Sequence, residues 1–303
     1  MEKLEELVRN RVSRRKFLIG AGSGLGATAA FALAAGCGGS SSSTTTTTTT
    51  PPASTGITDT DIFNFALNLE YLEAEFYLRA VTGSGLSAAD AGTNPGAVTG
   101  GAAVPFKTPA IQAYAEEIAA DELAHVRFIR KALADFAVDR PAIDLQNSFN
   151  AAASAAGIGS SFNPFADENS FLVGAFVFED VGVTAYHGAA SLLSITANLG
   201  YAAGIYATEA YHAGTIRTLI AQLGDPYLTY ANQISSLRAT AGGGAETQLS
   251  TSTIVAADAN SIAYDRTTDE VLHIVYLSPA AGVVTKGGFF PNGLNGTITA
   301  STT

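Results

Sequence analysis

Residues 121–128 read D-E-L-A-H-V-R-F. On a helix, Glu122 and His125 stand one turn apart on the same face. Ala115 and Ile118 precede them on that face, and Ile129 and Ala132 follow. The face is otherwise apolar and should point into a core. An unpaired carboxylate there carries a large burial penalty, so the pair needs a compensating partner.

The surrounding helix is expected over 108–138, with Pro109 in its first turn and Pro141 just beyond its end. Three more helical stretches are expected over 58–82, 169–198 and 201–223. Asp59 or Thr60 is the expected N-cap of the first, Gly83 its stop, and Gly200 the break between the last two. Such lengths exceed those of ordinary globular helices and suit a four-helix bundle. The connections are a Gly-rich loop (83–107), a long crossover (139–168) and a tight turn near 199. The fold class is therefore all-α. The remainder, 225–303, reads as an irregular extension packed on the bundle, with a short fifth helix over 265–277.

The fourth stretch repeats the opening pattern. In A-T-E-A-Y-H, residues 207–212, Glu209 and His212 share a face with Ile205 and Ile216. On the third, Glu179 lies in line with Leu172, Phe176, Val183 and Tyr186. On the first, Glu70 lies in line with Phe63, Ala66, Ala74 and Tyr77. Four carboxylates and two imidazoles inside a bundle can offset one another's burial by sharing two divalent cations. The order Glu, Glu-x-x-His, Glu, Glu-x-x-His is that of a carboxylate di-metal site. One nitrogen per metal among carboxylates suits iron or manganese. Glu73, one turn from Glu70, is the alternative ligand on the first helix; Glu75 is expected to be solvated. Three of the four His follow a Glu at this spacing. The third pair, Glu270 and His273, lies outside the four helices and reads as a surface or capping pair. His187 is off the ligand line and reads as a satisfied helix residue.

At residues 68–77, N-L-E-Y-L-E-A-E-F-Y resembles the first-helix motif of ferritins, with Tyr77 seven residues after Glu70. Glu179 and Tyr186 repeat that interval. F-F-P-N-G-L-N-G at 289–296 is similar to the desiccation-related branch of the ferritin-like di-metal superfamily. The resemblance covers about residues 57–298. It implies that Tyr77 and Tyr186 support the ligands. Asp121, like the Asp of D-E-x-x-H motifs, would hydrogen-bond His212, with Thr208 as a weaker counterpart on the fourth helix. The family implies a link to desiccation or oxidative stress, with oxygen or peroxide as a small oxidant, but fixes no reaction. A protective bundle that metal merely stabilises is the alternative, and iron storage a more distant one.

At the N-terminus, S-R-R-K-F-L (13–18) precedes an apolar run from Ile19 to Ala35. This is the layout of a secretory signal, and Arg14-Arg15 resembles a twin-arginine export signal. The only cysteine, Cys37, follows Ala34-Ala35-Gly36, which resembles a lipobox. Leu33 sits four residues before it rather than three, so cleavage after Ala32-Leu33-Ala34 is the rival reading. Residues 1–36 are thus expected to be a signal. Residues 37–56 read as a Ser/Thr/Pro-rich tether, 57–224 as the bundle and 225–303 as the extension. The expected location is the periplasm or the outer face of the membrane, with a lipid anchor at Cys37. Six of the 16 basic and three of the 27 acidic residues precede residue 37, leaving 10 and 24, a net of −14. Such a surface argues against nucleic acid as a partner.

Overall fold

The computed structural model describes residues 56–278 and 281–302. The signal, Cys37 and all but the last residue of the tether lie outside the described residues. In chain order the helices are α1 (Asp59–Thr82), α2 (Ala88–Ala91), α3 (Pro109–Leu133), α4 (Asn147–Ala156), α5 (Glu168–Ala190), α6 (Thr196–Leu223), α7 (Tyr227–Gly242) and α8 (Thr268–Val275). Helices α1, α3, α5 and α6 form the bundle. α1 packs chiefly on α3, α5 chiefly on α6, and α1 meets α5 across the middle. Two short parallel strands, β1 (Val98–Thr99) and β2 (Ile143–Asp144), tie the loop after α1 to the crossover. Among the described residues no helix is long and apolar enough to cross a membrane.

The N-cap of α1 is Thr58, not Asp59 or Thr60. Its hydroxyl accepts from the Asp61 backbone N–H, and the Asp61 carboxylate accepts from Thr58 N at 2.8 Å, a reciprocal capping box. Asp59 is used elsewhere. It accepts from the backbone of Ser194 (2.9 Å) and Ile195 (3.2 Å) and from Asn198 Nδ2 (2.8 Å). Those bonds seat the start of α6, so the break falls over 191–195. Gly200 lies inside α6, where a side chain would meet nothing within 4 Å. α3 stops at Leu133 rather than 138, because Asn64 of α1 binds the Phe136 carbonyl and the Val138 N–H. Gly83 ends α1 as expected, in a left-handed conformation (φ 78°) that costs glycine little.

The crossover holds α4, and the extension holds α7 as well as α8; neither α4 nor α7 was expected. Phe149 of α4 and Phe289 of the C-terminal segment join Phe76 and Phe178 in one aromatic cluster, with ring centroids 5.0–5.8 Å apart. Asn68 exchanges hydrogen bonds with the Asn295 backbone at 2.9 and 3.0 Å. The two stretches that carry the sequence resemblance therefore touch.

Candidate metal centre

The bundle brings the six expected ligands together. Each of two groups can offer one atom per residue, all within 4.8 Å of one another: Glu70, Glu122, His125 and Glu209, and Glu122, Glu179, Glu209 and His212. Glu122 and Glu209 belong to both, as bridging carboxylates would. Nδ1 of His125 lies 3.2 Å from Glu70, and 3.4 Å from both Glu122 and Glu209. Nδ1 of His212 lies 3.0 Å from Glu122 and 3.5 Å from Glu179. Metal–ligand bonds of about 2.1 Å place neighbouring donors at such separations.

Hydrogen bonding sorts the donor atoms further. Tyr186 donates to Glu70 Oε1 and Tyr77 donates to Glu179 Oε1. Each tyrosine thus supports the ligand of the opposite helix, not the Glu seven residues before it. Asp121 Oδ2 lies 3.1 Å from Nε2 of His212, the contact expected of it. Eight buried atoms of the six ligand residues then have no hydrogen-bond partner: Glu70 Oε2, Glu179 Oε2, both oxygens of Glu122 and of Glu209, and Nδ1 of His125 and of His212. Orphaned buried polar atoms are rare and costly in proteins. These eight divide into two sets, each with one terminal oxygen, one nitrogen and a share of two bridging carboxylates. The residues present fit a pair of divalent cations.

The electrostatics agree. Burial pushes the Glu70 carboxyl up to about 7, against the opposing pull of His125. Burial and the Glu122 charge drive Glu209 well above the usual range. Burial would raise Glu122 too, but the imidazoles of His125 and His212 beside it outweigh that and hold this carboxyl at about 2. Burial opposes the charge on His212, yet Glu179 and Glu122 lift it to about 12; Glu70 and Glu122 raise His125 in the same way. More negative charge is gathered here than two imidazolium groups can neutralise.

Two further residues shape the centre. Glu73 is buried beside it without being in either group. Burial, then Glu209 and the other carboxylates, push its pKa well up. Gly182, which sequence reasoning passed over, is where a Cβ would come within 2.3 Å of Glu209 Oε2 and 3.3 Å of Glu73 Oε1. The available signal was a glycine three residues after Glu179, inside a helix, where glycine is otherwise disfavoured.

Other expectations divide. Glu75 is not solvated: it is fully buried, 2.8 Å from Arg79, and paired with Arg140 as well. Thr208 turns back to Gly204 O on its own helix and does not mirror Asp121. His187 is satisfied by Tyr264 O at 3.1 Å. Glu270 caps α8 through Thr267, while His273 is buried rather than at the surface.

The family profile described as a ferritin-like domain matches residues 58–222. The chain is 30% identical over 246 residues to a desiccation-related protein, PCC13-62, of Craterostigma plantagineum, covering 71% of this chain and 76% of that one. It is also 30% identical over 267 residues to the ferritin-like catalase Nec2 of Nesocodon mauritianus, covering 79% and 84%. No solved structure matches the chain at a significant level.

Proposed function

Because the chain belongs to the ferritin-like domain family, beside desiccation-related relatives, we propose that it holds two iron or manganese ions and is redox-active towards oxygen or peroxide. The observation that carries this reading is the set of eight unpartnered donor atoms. Glu122 and Glu209 would bridge, Glu70 and His125 would complete one ion's ligands, and Glu179 and His212 the other's. A carboxylate-bridged pair of such ions supplies two-electron exchange with a small oxidant.

The chain's own groups prepare that site. Tyr77 and Tyr186 each hold one oxygen of a terminal carboxylate, leaving the second directed to the centre. Asp121 accepts a hydrogen bond from Nε2–H of His212, a tautomer that leaves the Nδ1 lone pair for a ligand bond. Glu70, Glu122 and Glu209 are fully buried, whereas His125 retains 8% and His212 5% exposure. A relative named as a catalase favours peroxide as the oxidant.

Elemental analysis of the purified, folded chain should give about two metal ions per chain. Glu122→Ala should remove at least one and abolish peroxide consumption. His273→Ala breaks an identical spacing outside the bundle and should retain both ions. Loss in His273→Ala with retention in Glu122→Ala would place the centre elsewhere. Two ions without peroxide turnover would leave a protective, metal-stabilised bundle.

We further propose export through the twin-arginine route with a lipid anchor at Cys37, supported by the residues quoted above. Replacing Arg14-Arg15 with Lys-Lys should retain the protein in the cytoplasm, and Cys37→Ser should release it from the membrane. Unchanged fractionation of either variant sinks the corresponding half.

A further inference from the structure

A cavity of about 120 Å³ lies between α5, α6 and the 245–266 segment, beside the metal ligands but on another side of both helices. Its wall includes Asp180, Arg217, Glu246 and Arg266. With Arg238 these form one buried network. Asp180 pairs with Arg217 at 2.8 Å and Arg238 at 2.7 Å; Glu246 pairs with Arg238 at 2.9 Å and Arg266 at 2.7 Å. Three guanidiniums thus face two carboxylates, and none of the five side chains is more than 7% exposed. One positive charge remains uncompensated in a buried place, which is unfavourable without an anion.

The surplus has a definite location. Arg266 gives Nη1 to Thr184 and Nη2 to Glu246, but its buried Nε–H has no hydrogen-bond partner. Glu246 already accepts from Arg238 on both oxygens and from Arg266 Nη2, and Asp180 Oδ2 accepts from both Arg217 and Arg238. Apart from Thr184 and Tyr264 the rest of the wall is apolar, with Val183, Ala213 and Ile254. An apolar cavity of ~150 Å³ takes up benzene, so the space suits a molecule of that order carrying one negative charge. We propose that this cavity is a binding site for a small organic monocarboxylate, its charge on Arg266 and its apolar body against Val183, Ala213 and Ile254.

Benzoate is the probe, titrated into the full chain with its metals bound and followed by calorimetry and thermal shift. Benzyl alcohol is the neutral match. One benzoate should bind per chain, with benzyl alcohol at least tenfold weaker. Gly214 lines the cavity and the adjoining surface groove, and a Cβ there would meet nothing within 4 Å. Gly214→Phe should therefore fold, obstruct the entrance and weaken benzoate at least tenfold without changing metal content. Arg266→Gln should erase the preference for benzoate over the alcohol. If that variant does not fold, Gly214→Phe and the alcohol decide. Equal affinity for alcohol and acid overturns the proposal, as does no saturable benzoate binding. Benzoate binding that survives in Gly214→Phe also overturns it, since the carboxylate would then be held at the metal centre or the surface.

Discussion

Glu179 and Asp180 are neighbours in the chain, yet they serve two buried charge clusters built on opposite principles. Asp180 joins a network whose opposite charges all come from the polypeptide: Arg217, Arg238, Glu246 and Arg266. Glu179 joins a centre of carboxylates with only two imidazoles to set against them. The first is nearly closed, with most of its hydrogen-bonding groups used. The second leaves eight donor atoms open. Burial and charge density alone do not separate a structural ion-pair network from a metal centre. What separates them is whether the chain supplies the counter-charges.

That contrast can be broken most directly by mutation. Asp180→Asn leaves Arg217 and Arg238 without a shared carboxylate, and breaking a buried pair costs about 3–5 kcal/mol. Urea unfolding should show this loss equally in metal-loaded and chelator-stripped protein, with two ions still bound in the former. Glu209→Gln should behave differently. It removes a carboxylate that its neighbours disfavour, so the stripped protein should be no less stable than the unaltered one. The loaded protein should lose the stabilisation that bound metal confers through mass action. If Asp180→Asn affects only the loaded form, or Glu209→Gln weakens both forms alike, the two clusters are not distinct.

The same contrast explains what was legible in the sequence. The metal centre announces itself because Glu-x-x-His recurs at one helical turn on long amphipathic segments, and a local period is readable. The Arg network has no period: its members stand at 180, 217, 238, 246 and 266, and only the docking of the extension unites them. Glu75 shows both cases: Arg79 stands one turn on, but Arg140, the second partner that closes its burial, lies 65 residues away. The start of α6 depends on Asp59, 135 residues from Ser194, so Gly200 offered a plausible but false break. α7, Y-L-T-Y-A-N-Q-I-S-S-L-R-A-T-A-G, is rich in residues of modest helix propensity. Packing on α4, α5, α6 and α8 holds it helical, and no local reading contains that information.

A smaller effect, graded with pH, sharpens the comparison. In the stripped protein, burial raises Glu70 to about 7 and also raises Glu73, Glu179 and Glu209; His212 is lifted to about 12 by Glu179 and Glu122 despite burial. Every one of these shifts makes the folded chain keep protons that the unfolded chain sheds. For the carboxyls the difference opens above the ordinary value of 4.5, and for His212 above 6.5. Stability of the stripped form should therefore fall as pH rises from 5 to 9, by about 1.4 kcal/mol per pH unit for each proton retained. The ion-pair network has the opposite sign. Burial opposes ionisation of Glu246, but Arg238 and Arg266 hold it below its usual range, so its contribution is full above 4.5 and is lost only as pH falls further. In the loaded protein, protons compete with metal for the same ligands, and stability should rise with pH over the range where the stripped form declines. Parallel unfolding curves at pH 5, 7 and 9, with and without chelator, check both slopes. A stripped form whose stability is flat or rising over that range would mean that its carboxylates are already compensated by the chain, and that the centre is a second closed network.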